Sequence, residues 1–133
     1  MTKDSKWIAY DFAVLRVVPH VHTGAFVPVG VVLHARTAEF IGVRVTTDIA
    51  ALAKVASDTD AELLSRYLSS CKAIAEGDMR AGPIALAPPS ERFHWITAPR
   101  SDVIQCGPVH SGLTENPEAT LDELFSALDF RPS

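Results

Sequence analysis

The segment Tyr10–Arg36, YDFAVLRVVPHVHTGAFVPVGVVLHAR, limits the architecture more than any other part of the chain. Two β-branched apolar runs flank a turn that holds Pro19, His20, His22, Thr23 and Gly24. This alternation predicts an antiparallel hairpin and gives little support to a helix. In the first run, Trp7 to Val18, the even set (Tyr10, Phe12, Val14, Arg16, Val18) and the odd set (Asp11, Ala13, Leu15, Val17) are both largely apolar. Such a strand is expected to be covered on both faces. In the second run, Ala25 to Ala35, Val27, Val29, Val31 and Leu33 make one strongly apolar face. Pro28 has no amide to give to a ladder, so it predicts a bulge or a non-bonded position near the strand start.

A short connection, Arg36-Thr37-Ala38, leads to a third strand over Glu39–Val45. Loops this short make a meander. Asp48 is placed to cap a short helical turn through Ile49, Leu52 and Val55. Thr59-Asp60-Ala61-Glu62 has the form of a capping box, in which the threonine oxygen and the glutamate carboxylate satisfy each other's backbone amides. Leu63, Leu64, Tyr67, Leu68, Cys71 and Ile74 then recur at helical spacing, and Gly77 is expected to end that helix in the left-handed conformation. After a Pro/Gly-rich connector at residues 81–89, Arg92–Thr97 and Asp102–Cys106 read as short strands, and Gly107–Asn116 as a loop. Asn116 followed by Pro117 starts a last helix with Leu121, Leu124, Phe125 and Leu128 on its apolar stripe. Strands grouped in this way, rather than alternating with helices, predict an α+β fold. Its small antiparallel sheet, a three-strand meander plus two short strands, is expected to pack its valine face against the longer of two main helices.

The 133 residues fit one domain, with a core spanning about residues 7–130. A formal net charge of −4 argues against a general nucleic-acid binder, which needs a basic face. The polar start MTKDSK has no apolar region after it, and no stretch approaches the ~20 apolar residues of a membrane span. A cytoplasmic protein with no membrane contact is therefore expected. Cys71 and Cys106 have no metal or redox spacing and read as small buried apolar residues. There is no GxxxxGK[ST] or GxGxxG phosphate loop, so no cofactor is expected.

Polar residues that are unexpected among valines mark the candidate site. If even residues pair with even in the first hairpin and the second turns about Thr37, Gly30 faces Arg16 on one side and Arg44 on the other. This holds only if Pro28 causes no slip. Two guanidiniums beside a residue without a side chain would cradle an anion. The plainer alternative is a wet face on which the arginine stems cover Phe12 and Phe40. His34 lies further along the same face. His20 and His22 would point the same way in an extended segment. They become metal ligands only if folding adds His94, His110, Asp11 or Asp102, so they read first as ordinary polar turn residues. A second polar block, residues 90–112, holds Arg92, His94, Arg100, Ser101, Asp102, His110 and Ser111. Serine, histidine and aspartate are all present, but no G-x-S-x-G elbow aims a serine. Arg100 with the Ser101 hydroxyl is the simpler anion contact, against a plain Arg100–Asp102 surface pair.

The stretches YDFAVLRVVPHVHTGAFVPVGVVLH and RFHWITAPRSDVIQCGPVHSGLTENPEATLDELF resemble the bacterial domain of unknown function 3037 family. The signature is the strand ending in Arg16, the Gly24-x-Phe26-x-x-Val29-Gly30 stretch, and Arg92 with the turn Pro99-Arg100-Ser101. The resemblance implies no reaction, cofactor or catalytic residue. It implies a genomic association with HipA-like kinases, and hence an accessory or partner role.

The sequence thus favours a binding or accessory module that recognises an anionic ligand or a partner protein. The expected ligand-binding residues are Arg16, His20, His22, Arg44, Arg92, His94, Arg100, Ser101 and His110. The alternatives are a small hydrolase or transferase acting on a phosphorylated substrate, with a histidine as general acid or base, and a structural dimer module.

Overall fold

The computed structural model describes residues 6–20, 25–47, 58–99 and 104–128. Ile8–His20 (β1), Ala25–Ala35 (β2) and Phe40–Val45 (β3) form the antiparallel meander that the alternation predicts. Ile104–Cys106 (β4) and His110–Thr114 (β5) both pair antiparallel with the other side of β1. The sheet order is β3-β2-β1-β4, with β5 also beside β1. β4 and β5 act as one interrupted edge strand. Cys106 lies opposite Leu15 and His110 opposite Phe12, so Gly107, Pro108 and Val109 oppose only Val14 and Ala13. Pro108 falls in this bulge, where a missing amide costs little.

Three helices cover the sheet: Asp58–Ala75 (α1), Pro89–Thr97 (α2) and Pro117–Ser126 (α3). The architecture is α+β with a five-stranded antiparallel sheet. α1 and α2 pack on one face, where Ala13, Leu15, Val17, Val27, Val29, Val32 and Val43 meet Leu64, Leu68, Cys71, Ile74, Phe93 and Ile96. α3 packs on the other, where Leu121 meets Val31, Leu33 and Ala35, flanked by Phe12 and Phe40. From Phe12 to Val17 β1 is therefore covered on both faces, as its two apolar sets require, while its start is open on the α1/α2 side.

Pro28 sets the phase of β2. Leu15 pairs with Gly30, but Arg16 pairs with Pro28, so Val29 is the extra residue of a bulge. The bulge reverses which residues face α1. Val27 and Val29 join the larger core, as the valine face was expected to do, while Val31 and Leu33 turn to the α3 side. The second hairpin is also longer than its sequence suggests. After the 3₁₀ turn Arg36–Ala38, Glu39 adopts the left-handed conformation (φ 50°) and β3 begins at Phe40. Gly30 consequently faces Leu15 and Val45, not Arg16 and Arg44.

Two further expectations change. Residues 92–97 lie in α2 rather than in a strand: Pro89 takes the first helical turn, Glu91 follows it, and Phe93 and Ile96 point inward three residues apart. His110–Thr114, read as loop, is a strand because it completes the edge of β1. Leu63 is 56% exposed and drops out of the α1 stripe, whereas Leu64, Leu68, Cys71 and Ile74 are buried. α1 ends as expected. Gly77 has φ +76°, with Gly77 N–H donating to Ile74 O and Asp78 N–H to Ala73 O. Asn116 caps α3 through Ala119 N–H at 3.1 Å, with Pro117 at the first helical position. The short turn expected after Asp48 and the Thr59 side chain lie outside the described residues. Among the described residues no helix is long and apolar enough to cross a membrane.

Candidate functional site

On the face packed by α1 and α2, the half of the sheet nearest the start of β1 stays open, and Ala9, Ser111 and Leu113 are exposed there. A cavity of about 510 Å³ lies where this open half meets α2. Its floor is a row across three strands. Asp11 on β1 has His34 as its partner on β2 and Ser111 as its partner on β5. Directly opposed side chains on one face sit about 5 Å apart, so the pairing places the carboxylate beside the imidazole. α2 supplies the wall. Ser90, His94 and Thr97, at positions i, i+4 and i+7, line the cavity together with Phe93. Arg36, in the turn after β2, and Val109, from the edge bulge, complete it.

The groups differ in how they are held. Asp11 Oδ1 accepts a hydrogen bond from Ser111 Oγ at 2.5 Å. His34 is only 8% exposed and stacks on Phe93, with ring centroids 5.4 Å apart and an angle of 29° between the planes. Burial pushes the His34 imidazole below its ordinary 6.5; Arg36 and His94 add to the shift, and the Asp11 carboxylate opposes it. Burial therefore favours the neutral His34 imidazole. Among the described residues, Arg44 and Arg80 are engaged in ion pairs with Glu118, Asp122 and Asp78, whereas Arg36 has no such pair. The cavity thus holds one cationic fork without a carboxylate partner, two imidazoles, and one carboxylate already bonded to a hydroxyl. This set can bind an acidic group at Arg36 and a hydrogen-bond donor at Asp11. Among the described residues no group of three or more His, Cys, Asp or Glu side chains is placed to hold a metal ion.

The family model described as Protein of unknown function (DUF3037) matches residues 12–128. The chain belongs to this family. No curated protein and no solved structure matches.

In this DUF3037 chain the residues singled out from sequence do not all meet. His94 lines the cavity. Arg44 faces the other side of the sheet and binds α3, with Nε 2.8 Å from Asp122 Oδ1 and Nη2 3.4 Å from Glu118 Oε2. Arg16 shares that side. Its Nε is buried, and a Cβ added to Gly107 would lie 3.4 Å from its Nη1. His110 pairs with Phe12, and its ring lies 5.3 Å from the Phe12 ring on the α3 side. Arg92 is spent on backbone carbonyls of Ile74, Ala75 and Ala87. Among the described residues the sheet separates His94 from Arg16, Arg44 and His110. The His20 side chain, His22, Arg100 and Ser101 lie outside the described residues. Two of the residue patterns that carry the family resemblance have structural tasks: Val29 is the extra residue of the bulge beside Gly30, and Arg92 closes the end of α1.

Asp11, Arg36, Ser90 and Thr97 were not among the expected ligand-binding residues, nor was His34, although the sequence places it on a strand face. A helical reading of PSERFHWIT would have set Ser90, His94 and Thr97 on one face. The Asp11–His34–Ser111 row had no local signal, because it joins three strands through registers fixed by two bulges.

Proposed function

We propose that this chain is a binding module that takes a small ligand by its acidic group in the cavity between α2 and the open half of the sheet. The observation that carries this reading is Arg36: a guanidinium with no carboxylate partner among the described residues, at a cavity that also holds His34 and His94. A forked donor in this setting favours a carboxylate or phosphate oxygen. Asp11, fixed by Ser111, disfavours negative charge at its own side of the cavity and so directs the acidic group to Arg36. Hydrolysis by a serine nucleophile has less support, because the Ser111 hydroxyl donates to a carboxylate and not to an imidazole. A thiol nucleophile has less still. Burial pushes the Cys106 thiol up to about 11, despite the nearby Arg16, so it stays protonated at neutral pH.

Thermal unfolding with acetate, phosphate or sulfate at millimolar concentration tests the reading. At least one anion is expected to raise Tm, and Arg36→Gln is expected to remove the shift while Arg44→Gln preserves it. No shift with any of the three, or a shift that survives Arg36→Gln, would overturn the assignment.

A further inference from the structure

We infer that the ligand is an amphipathic monoanion, one carboxylate on an apolar body, and not a phosphate or other dianion. This rests on the cavity reading above and adds the chemical class.

The charge argument comes first. Arg36 and Asp11 line the same cavity, and His34 is held neutral by burial. The fixed charges of the walls therefore nearly cancel. A single negative charge is matched by the Arg36 fork, whereas a second charge on the ligand would face the Asp11 carboxylate of the same cavity with no second arginine lining it to offset it.

The shape of the surface points the same way. Two walls of the cavity, Phe93 and Val109, are apolar. Val109 is 51% exposed, and further exposed apolar residues lie beyond the Asp11–Ser111 pair. On the same face of β5, Leu113 is 63% exposed, and its cross-strand partner Ala9 is also exposed. Alternation carried one residue before β1 brings Trp7, 58% exposed, to this face as well. Exposed apolar residues are ordinary when scattered, but Leu113 and Ala9 pair across one face to make a strip next to the Asp11–Ser111 edge of a charged cavity. An acid seated on Arg36 can lay its apolar portion along that strip.

Calorimetric titration of the full chain with acetate, octanoate and inorganic phosphate tests this. Full burial of one methylene tightens binding about fourfold, so octanoate, six methylenes longer and partly covered, is expected to bind about 30-fold tighter than acetate. Arg36→Gln should weaken both acids at least about tenfold, the loss of one charge-assisted fork. Leu113→Ser should weaken octanoate about fivefold and leave acetate unchanged. Val109→Ser provides the same comparison if Leu113→Ser folds poorly. Equal affinity for acetate and octanoate, tighter binding of phosphate than octanoate, or octanoate binding unaffected by both strip variants would overturn the amphipathic class. In those cases Arg36-dependent anion binding would still support the binding module. Failure of all three probes to bind, or octanoate binding that ignores Arg36→Gln, would overturn both.

Discussion

Arg92 on α2 reaches Ile74 and Ala75 in the last turn of α1, its Nη1 lying 3.1 Å and 2.9 Å from their carbonyl oxygens. Its Nε donates to Ala87 O at 2.8 Å. One side chain thus adds a second donor to Ile74 O, pairs the Ala75 carbonyl at the end of α1, and ties two helices to the connector between them. Arg92→Ala should cost about 2–4 kcal/mol, because three charge-assisted bonds are lost and partly buried carbonyls are stranded. Arg92→Lys should recover only part of this, since an ammonium cannot reproduce the fork. Urea unfolding measures both. A loss for Arg92→Ala below about 0.5 kcal/mol, the range of an ordinary surface substitution, would contradict the clamp.

Gly30 marks where the β1–β2 bulge brings β3 close. A Cβ at this position would lie 2.7 Å from Arg44 O and 2.8 Å from Val45 Cγ1. The first contact is backbone and cannot rotate away, so Gly30→Ala should destabilise by about 1–3 kcal/mol through overpacking. Equilibrium unfolding of Gly30→Ala against the parent checks this, and a neutral result would mean that the hairpin register differs from the one described.

Cys106 is expected to behave as a protected thiol. Its pKa is pushed up to about 11 by burial, which outweighs the nearby Arg16. The thiolate is the reactive form, so labelling of native Cys106 by iodoacetamide should be far slower than for a free cysteine near 8.5 at neutral pH. Mass spectrometry of the Cys71→Ala variant isolates the site. Rapid labelling at neutral pH in the folded state would reopen a catalytic role for this residue.

Local patterns explain most of the framework. The meander follows from period-two alternation, the Schellman end of α1 from Gly77, and the start of α3 from Asn116-Pro117. Pro28 announced a bulge, but not the size or direction of the resulting shift, and a shift of one residue moves a side chain to the opposite face. That is why Val31 and Leu33 leave the valine face, while the longer β2–β3 turn through Glu39 is what puts Val45 rather than Arg44 opposite Gly30. The sequence Arg92–Thr97 alternates as well as it repeats at helical spacing, so six residues could not decide between strand and helix; the preceding Pro88-Pro89 pair decided it. The candidate site was less legible than the fold. Arg36 is the proposed anion contact because no ion pair engages it among the described residues, while Arg44 is engaged by Glu118 and Asp122. The Arg44 pairs join residues more than seventy positions apart in the chain.

His34 makes stability depend on pH in a direction that can be worked out. Burial lowers its folded pKa below the ordinary 6.5, so between the two values the unfolded chain binds more protons than the folded one. Its contribution is fully present above the unfolded value and is lost as pH falls through the folded one. Unfolding free energy should therefore decline more steeply in the parent than in His34→Gln as pH is lowered from about 7.5 to about 5. Urea midpoints of the two proteins across that range measure the difference, and parallel curves would show that His34 is not held neutral by burial. A ligand adds a second comparison. An anion seated at Arg36 also lies near the His34 ring and favours its charged form, which raises the folded pKa. Saturating octanoate should then flatten the acid-side decline of the parent and leave His34→Gln unaffected in slope, linking the buried imidazole to the occupied cavity.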